Sequence, residues 1–445
     1  MIAPLIRDGR VGQALLGLAV IEATAGDDAR LLQHLGEYYT HCGKTHEAAR
    51  CYRRAVDLTP DDPRCLYNLA SAQIALGLTG EAEALLDRVI ALDPADADAW
   101  QNRSTLRRQT AQANHVPALL DAVARTRPGP AEVALSYALA KEFEDLGQYQ
   151  QSFEWLKRGA DRRRRLLSYQ VASDVAAMEE IARVFNPALF AATPEGCAEV
   201  GPIFVLGLPR SGTTLVDRII SSHSAVESLG EINDFALSLM RLAGQAGGKG
   251  DLIRRSATLD PAALGRTYLD SLAGRGPRRP MVIDKTPVNF LYVGLIARAL
   301  PNAKIIHLRR HPMDSGYALY KTLFRMGCPY AYDLDDLAAY MLAHRRLMAH
   351  WRAVLPGRIL DVDYEALVTD QETQSRRIIA HCALDWQDAC LRFHENAAPA
   401  ATASAAQVRQ PIHADSVGLW RRYAPQLAPL AAALAAGGVD PVELV

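Results

Sequence analysis

The stretch "GPIFVLGLPRSGTTLVDRII" (201–220) joins a hydrophobic run to a glycine-bracketed loop and then to a helical pattern. Such a turn between strand and helix aims backbone N–H groups and the helix N-terminus at one anion, and Ser211, Thr213 and Thr214 add hydroxyl donors. The spacing satisfies G-x-x-x-x-G-K-[ST] at Gly207, Gly212 and Thr214, but Thr213 stands where a lysine would reach the outer phosphates of a triphosphate. The nearest cation is Arg210, and Asp284, the acidic residue at the next strand end, is followed at once by Lys285 rather than by a second metal ligand. What remains is a phosphate cradle with fixed cations and no metal. A 5'-phosphate bearing one further transferable group suits it.

The elements that must position this loop are legible as short apolar runs: "PIFVLG" (202–207), "MVID" (281–284), "KIIHL" (304–308) and "RILDVDY" (358–364). Helical stretches at 214–223, 288–300 and 334–355 lie between them. Alternation of this kind predicts a parallel sheet covered on both faces, with ligands beyond the carboxyl ends of its strands. Arg210 to Thr214 follow the first run, Asp284 and Lys285 the second, Arg309 and Arg310 the third, so three strand ends converge on one cationic rim. The twelve histidines form no ligand-like cluster, and no metal site is expected. His223 and His307 read as structural or rim residues, and Arg309 as a partner for a carboxylate.

Ahead of this domain the chain repeats itself. Gly43, Ala48 and Pro60 recur 34 residues later as Gly77, Ala82 and Pro94, and Leu32 and Leu66 lead to Trp100. Period, small residues, turn glycine and closing proline resemble the tetratricopeptide repeat, with units near 29–62, 63–96, 97–130 and, in a slipped register around Gly147, 131–165. Stacked helix hairpins of this sort make a solenoid with a concave surface. The expected organisation is an all-α solenoid over 1–165, a helical linker over 166–199 punctuated by Pro187, Pro194, Gly196 and Gly201, and a P-loop-like α/β domain with a central parallel sheet over 200–445.

The residues of the second domain resemble the sulfotransferase superfamily, and more narrowly the branch containing the tyrosylprotein sulfotransferases and bacterial tetratricopeptide-sulfotransferase fusions. The family's 5'-phosphosulfate loop, P-R-S-G-T-T-L, is met without a gap by Pro209, Arg210, Ser211, Gly212, Thr213, Thr214 and Leu215. "LGEIND" matches the family's Gly-Glu-Glu position, which implies Glu231 as catalytic base. "DKTP" matches Asn-Lys-Asp-Pro, which gives Lys285 the role of stabilising the transferring group. "HLRRHPMDSGYALYK" matches the 3'-phosphate motif through Arg310, and "VDYEAL" places Tyr364 near the nucleotide. "SAAQVRQPIHADSVGLW" matches the C-terminal loop through Gln407, Val408, Pro411 and Trp420, and puts Ser404 on a second transition-state donor. Two departures stand out. Ala318 replaces the family serine, with Ser315 one turn earlier as a substitute, and Leu419 replaces a lysine whose charge Arg409 is placed to supply.

The resemblance implies 3'-phosphoadenosine 5'-phosphosulfate (PAPS) as co-substrate without a metal, and an acceptor hydroxyl on a protein or peptide tyrosine. Carbohydrate and lipid hydroxyls stay open as acceptors. Glu231 would take the acceptor proton, a role that burial would sharpen, while Arg210, Lys285 and Ser404 hold the sulfuryl and bridging oxygens. The acceptor protein is expected on the concave face of the repeats, and a second copy of the chain is a further candidate partner. A catalytically silent scaffold with a retained nucleotide pocket, and a Mg-dependent nucleotide kinase or NTPase, are the alternatives.

Composition narrows the field further. A formal net charge of -1 provides no global basic field, so nucleic acid is not an expected partner. Seven scattered cysteines without a C-x-x-C pair, a start that reads poorly as a secretory signal and the absence of an 18-residue apolar run point to a cytoplasmic chain with no membrane span.

Overall fold

The structure is a computed structural model that describes residues 2–191, 196–276, 279–400 and 407–444. Its first half is a run of antiparallel helix pairs, Ala29–His41 with Thr45–Leu58, Pro63–Leu76 with Thr79–Leu92 and Pro130–Asp145 with Tyr149–Arg165, while Ala97–Thr105 and Val116–Arg125 each pack on Pro130–Asp145. The period has a capping signature. Asp28, Asp62 and Asp96, each 34 residues apart, accept main-chain N–H groups of Leu31, of Arg64 and Cys65, and of Ala99. Ala48 and Ala82 are fully buried where helices cross, and the leucines Leu32, Leu66 and Leu86 fill the seam. Each such leucine contributes roughly 1.5–3 kcal/mol of apolar burial. Two elements lie outside the sequence expectation. The helices Ile2–Arg7 and Val11–Thr24 precede the repeats, and the third unit has only nine residues in its first helix before an irregular turn.

The second half is built on five parallel strands, β1 (Pro202–Gly207), β2 (Val226–Ser228), β3 (Met281–Asp284), β4 (Lys304–Arg309) and β5 (Ile359–Asp363), in the order β2-β3-β1-β4-β5. β1 is central and its Ile203, Phe204, Val205 and Leu206 are wholly buried, as expected for a strand covered on both faces. β2 was not expected, because "VES" is three residues long and two of them are polar. The strand order reverses at β1, since the chain leaves it for the β2–β3 side and returns to β4 on the other. A crevice therefore opens beyond the end of β1, between the segments that follow β3 and β4.

The last repeat pair shares a core with the sheet domain. Tyr137, Phe153 and Leu156 pack in one cluster with Tyr320, Trp351 and Tyr423. The Tyr137 hydroxyl donates to the Tyr320 carbonyl at 3.2 Å. Glu144 accepts from Lys321 at 2.7 Å, from the Tyr423 hydroxyl at 3.1 Å and from the Tyr317 hydroxyl. Burial works to raise the Glu144 carboxyl, but Lys321 and the tyrosines outweigh it and hold it below the usual range. The helix Val171–Val184, in the stretch expected as a linker, packs on the long helix Leu334–Val354, and Phe185 meets Trp351 edge-on at 6.0 Å. Among the described residues no helix is long and apolar enough to cross a membrane.

Candidate active site

β1 runs into the loop Leu208–Gly212, and the helix Thr213–Ser221 starts directly after it. Gly212 has φ 102 and lies against the Tyr364 ring, so both its backbone conformation and its missing side chain are required. Arg210, with φ 67, is one of the non-glycine residues in the left-handed region, a conformation costing about 1–2 kcal/mol. That turn directs its carbonyl to Arg310, which donates to it at 2.9 Å, and brings its guanidinium within 3.5 Å of Gln407 Oε1. Burial, and then the neighbouring Arg310 charge, push the Arg210 guanidinium down to about 10. The Ser211 hydroxyl is buried with no hydrogen-bond partner among the described residues. An orphan hydroxyl inside a helix-terminal loop, bordered by two arginines, fits a bound phosphate group.

Lys285 follows β3 and is 1% exposed; its ammonium lies 2.5 Å from Glu231 Oε1, whose side chain is 49% exposed. The pairing is set by the backbone. Leu229 N–H donates to the Ile283 carbonyl at 3.0 Å and Lys285 N–H to the Gly230 carbonyl at 2.9 Å. Thr286 Oγ1 then ties both the N–H and the carbonyl of Ile232. Segment 229–232 thus continues the sheet edge beyond β2, and this register lays Glu231 over Lys285. Lys285 is the enclosed member of the pair, and the glutamate rides on the outer rim of the crevice. Close by, burial and then the Glu231 charge push the Cys328 thiol up to about 11, after the Tyr330 hydroxyl has partly offset the burial.

Beneath the pair lie two carboxyl groups that the sequence did not single out for a role. Burial raises Asp217, against the opposing charges of Lys285 and Arg218. Asp284 is raised to about 7 by burial, with the Asp234 charge adding to it. Its oxygens accept from Tyr268 at 3.2 Å and Asn289 at 3.0 Å.

Arg310, after β4, bridges two segments. Besides the Arg210 carbonyl it donates to the Ser416 carbonyl at 2.7 Å, and it lies 4.8 Å over the Tyr364 ring. The Tyr364 hydroxyl bonds Ser416 Oγ at 2.8 Å. Arg310 Nε is buried without a partner among the described residues, a second donor left for a ligand. Arg309 pairs with Asp363 at 2.9 Å at the surface. Ser315 and Ala318 are both buried, one turn apart, in the helix Pro312–Tyr320. Leu419 begins a 3-10 turn, Leu419–Tyr423.

Ser404 lies outside the described residues, but both flanks of its loop are placed. Arg218, 3% exposed, donates to the carbonyls of Ala398 at 2.6 Å and Pro399 at 2.7 Å. Asp314 accepts from Gly418 N–H at 2.7 Å and Trp420 N–H at 3.3 Å. Val408 is buried, and Gln407 reaches Arg210. Arg409, expected to supply charge at the nucleotide, instead donates to the Ala75 carbonyl at 3.2 Å in the repeat array. Arg218, Asp314 and Ser416 were missed by sequence reasoning. Their contacts join segments 52 to 181 residues apart in the chain, a separation over which no local pattern signals them.

A parallel sheet whose central strand enters an anion loop, flanked by cations from the adjacent strand ends, defines a phosphate-loop group-transfer architecture. Residues 202–388 match the model of the sulfotransferase family, and residues 42–106 match a tetratricopeptide repeat: the chain carries a sulfotransferase-family domain behind a tetratricopeptide array. It is 33% identical over 317 residues to an uncharacterized protein of Aquifex aeolicus (strain VF5), covering 68% of this chain and 41% of that one, so it spans less than half of that relative's length. It is 25% identical over 254 residues to protein-tyrosine sulfotransferase A of Caenorhabditis elegans, covering 50% of this chain and 62% of that one. A solved sulfotransferase domain from the Synechococcus PCC 7002 olefin synthase is 19% identical, with 51% of this chain and 96% of that chain covered and a TM-score of 0.33.

Proposed function

We propose that the chain transfers the sulfuryl group of PAPS to an acceptor hydroxyl, with a protein or peptide tyrosine as the acceptor class. The observation that carries this is the Glu231–Lys285 pair, an exposed carboxylate on an enclosed ammonium, set at the crevice beside an anion loop whose Ser211 hydroxyl has no partner among the described residues. When bound, PAPS supplies the sulfuryl group and a 5'-phosphate leaving group. The loop Pro209–Thr214 would hold the 5' end, and Arg310, Ser315 and Tyr364 would serve the 3' side and the adenosine. Glu231 takes the proton of the acceptor hydroxyl at its exposed carboxylate. Lys285 is a fixed, enclosed cation, and Arg210 is a second one across the crevice, so neither reorganises as charge builds. Sulfuryl transfer, like phosphoryl transfer, depends mainly on positioning and charge stabilisation.

Support for a tyrosine acceptor comes from the relatives' names and from the repeat array, whose concave face we assign to the acceptor protein. Homodimerisation through the array is a second proposed role. We assign the chain to the cytoplasm on its seven unpaired cysteines. The test is transfer of radiolabelled sulfate from PAPS onto peptide, glycan and phenolic acceptors, with wild type and Glu231→Ala side by side. Transfer by the wild type that the substitution abolishes supports the assignment. Binding of PAPS with no transfer to any acceptor would sink the enzymatic reading in favour of a silent scaffold, and Mg-dependent ATP turnover would favour a kinase or NTPase.

A further inference from the structure

The repeat helix Pro63–Leu76 ends against the donor side of the site. Its cap is the left-handed Gly77, whose N–H bonds the carbonyls of Gln73 and Ile74, while Leu78 N–H also takes Gln73. That leaves the Ala75 carbonyl exposed at the negative end of the helix dipole. Two donors from the sheet domain fill it: Ala400 N–H at 2.8 Å and Arg409 at 3.2 Å. The Arg409 guanidinium also reaches the Ala398 carbonyl at 3.4 Å, the same carbonyl that Arg218 holds, and Ala400 packs with Val408. A side chain on Gly77 would overlap the Arg409 guanidinium, so the absence of one admits it. The next turn, Gln407–Arg409, presents Gln407 to Arg210.

We propose that the carboxyl end of this repeat helix is a positioning element of the donor site: Ala75 and Gly77 seat Arg409, and the turn it belongs to thereby sets Gln407 against Arg210. The array is then part of the machinery on the nucleotide side, in addition to any role with acceptors. This rests on the donor-site assignment above.

Gly43 provides an internal control. It occupies the equivalent cap one repeat earlier, with φ 74 against 80 for Gly77, and has open space where a side chain would go. Gly43→Ala therefore carries the same backbone strain without the collision. Binding of 3'-phosphoadenosine 5'-phosphate is measured by calorimetry on the full chain, together with hydrogen exchange of the Ala400 amide. Gly77→Ala and Arg409→Ala each weaken binding about tenfold, the double variant weakens it no further than either, and Gly43→Ala leaves it unchanged. Exchange at Ala400 speeds up in Gly77→Ala and not in Gly43→Ala. Unchanged affinity and unchanged exchange in Gly77→Ala, or equal losses in Gly43→Ala, overturn the proposal. A wild type that does not bind the nucleotide overturns the donor-site assignment, and this role with it.

Discussion

The loop Leu208–Gly212 and the wall formed by 396–400 and 407–418 face each other across the site and are held by different means. The first spans a few residues between a buried strand and a helix, and its shape follows from Gly212, the strained Arg210 and the start of the helix. The second has only one short 3-10 turn among its described residues before Gly418, and depends on distant groups: Arg218 beneath it, Ala75 beside it, Arg310 and Asp314 at its far end. A phosphate loop can be specified by neighbours in the chain. A wall opposite it, built of irregular backbone, must borrow its hydrogen-bond partners from the rest of the protein.

The largest effect is expected where the two walls meet the chemistry. Glu231→Ala should lower the transfer rate by about 10²–10⁴-fold and Lys285→Ala by roughly 10²–10³-fold, with the affinity for 3'-phosphoadenosine 5'-phosphate little changed in Glu231→Ala. Rates within a few-fold of wild type would remove the pair from the mechanism. Next comes the residue that stitches the walls together. Arg310→Ala deletes charge-assisted bonds to the Arg210 and Ser416 carbonyls, each worth about 1.5–3 kcal/mol, and nucleotide affinity should fall roughly 10- to 100-fold. An unaltered dissociation constant would mean that the walls do not need joining.

A smaller effect should separate local from borrowed order. Arg218→Met deletes the bonds to the Ala398 and Pro399 carbonyls and leaves Arg409 alone on Ala398, at a cost of about 1–3 kcal/mol, and should lower the denaturant midpoint and open the chain to protease at 396–400. If cleavage appears instead near residues 208–212, the contrast between the walls is wrong. The smallest effect concerns Asp284 under β3. Its folded-state value of about 7, against 3.8 as a reference, means the folded protein keeps a proton that the unfolded chain gives up. The associated stability is complete below about 3.8 and lost as pH rises through about 7. Asp284→Asn stays neutral, so its melting temperature should fall less between pH 5 and 8 than that of the wild type. Parallel pH profiles would contradict the shift.

Much of the fold was legible because its signals are local. The strands at 202–207 and 281–284 coincide with continuous apolar runs, and the 34-residue period marks helix pairs capped by regularly spaced aspartates. The hairpin at 2–24 escaped notice although its Gly9 and Ala14 stand one period before Gly43 and Ala48, because its first helix has only six residues. In the site, Pro209 to Thr214, Glu231, Lys285, Arg310, Tyr364 and Gln407 were each singled out by a motif. Motifs carried no information about which of them meet. Arg409 was assigned to the nucleotide by its place in a loop, whereas it donates to the Ala75 carbonyl on a repeat helix 334 residues away in sequence.

The sequence by itself determined the repeat period, the anion loop and the run of buried strands, since each arises from backbone preferences and apolar spacing over fewer than forty residues. Tertiary structure decided that Lys285 is buried and Glu231 exposed, that Arg310 bridges Arg210 to Ser416, and that a repeat helix ends at the donor side. These contacts close loops of about fifty to more than three hundred residues. Packing of whole elements brings such groups together, and no local preference encodes the meeting.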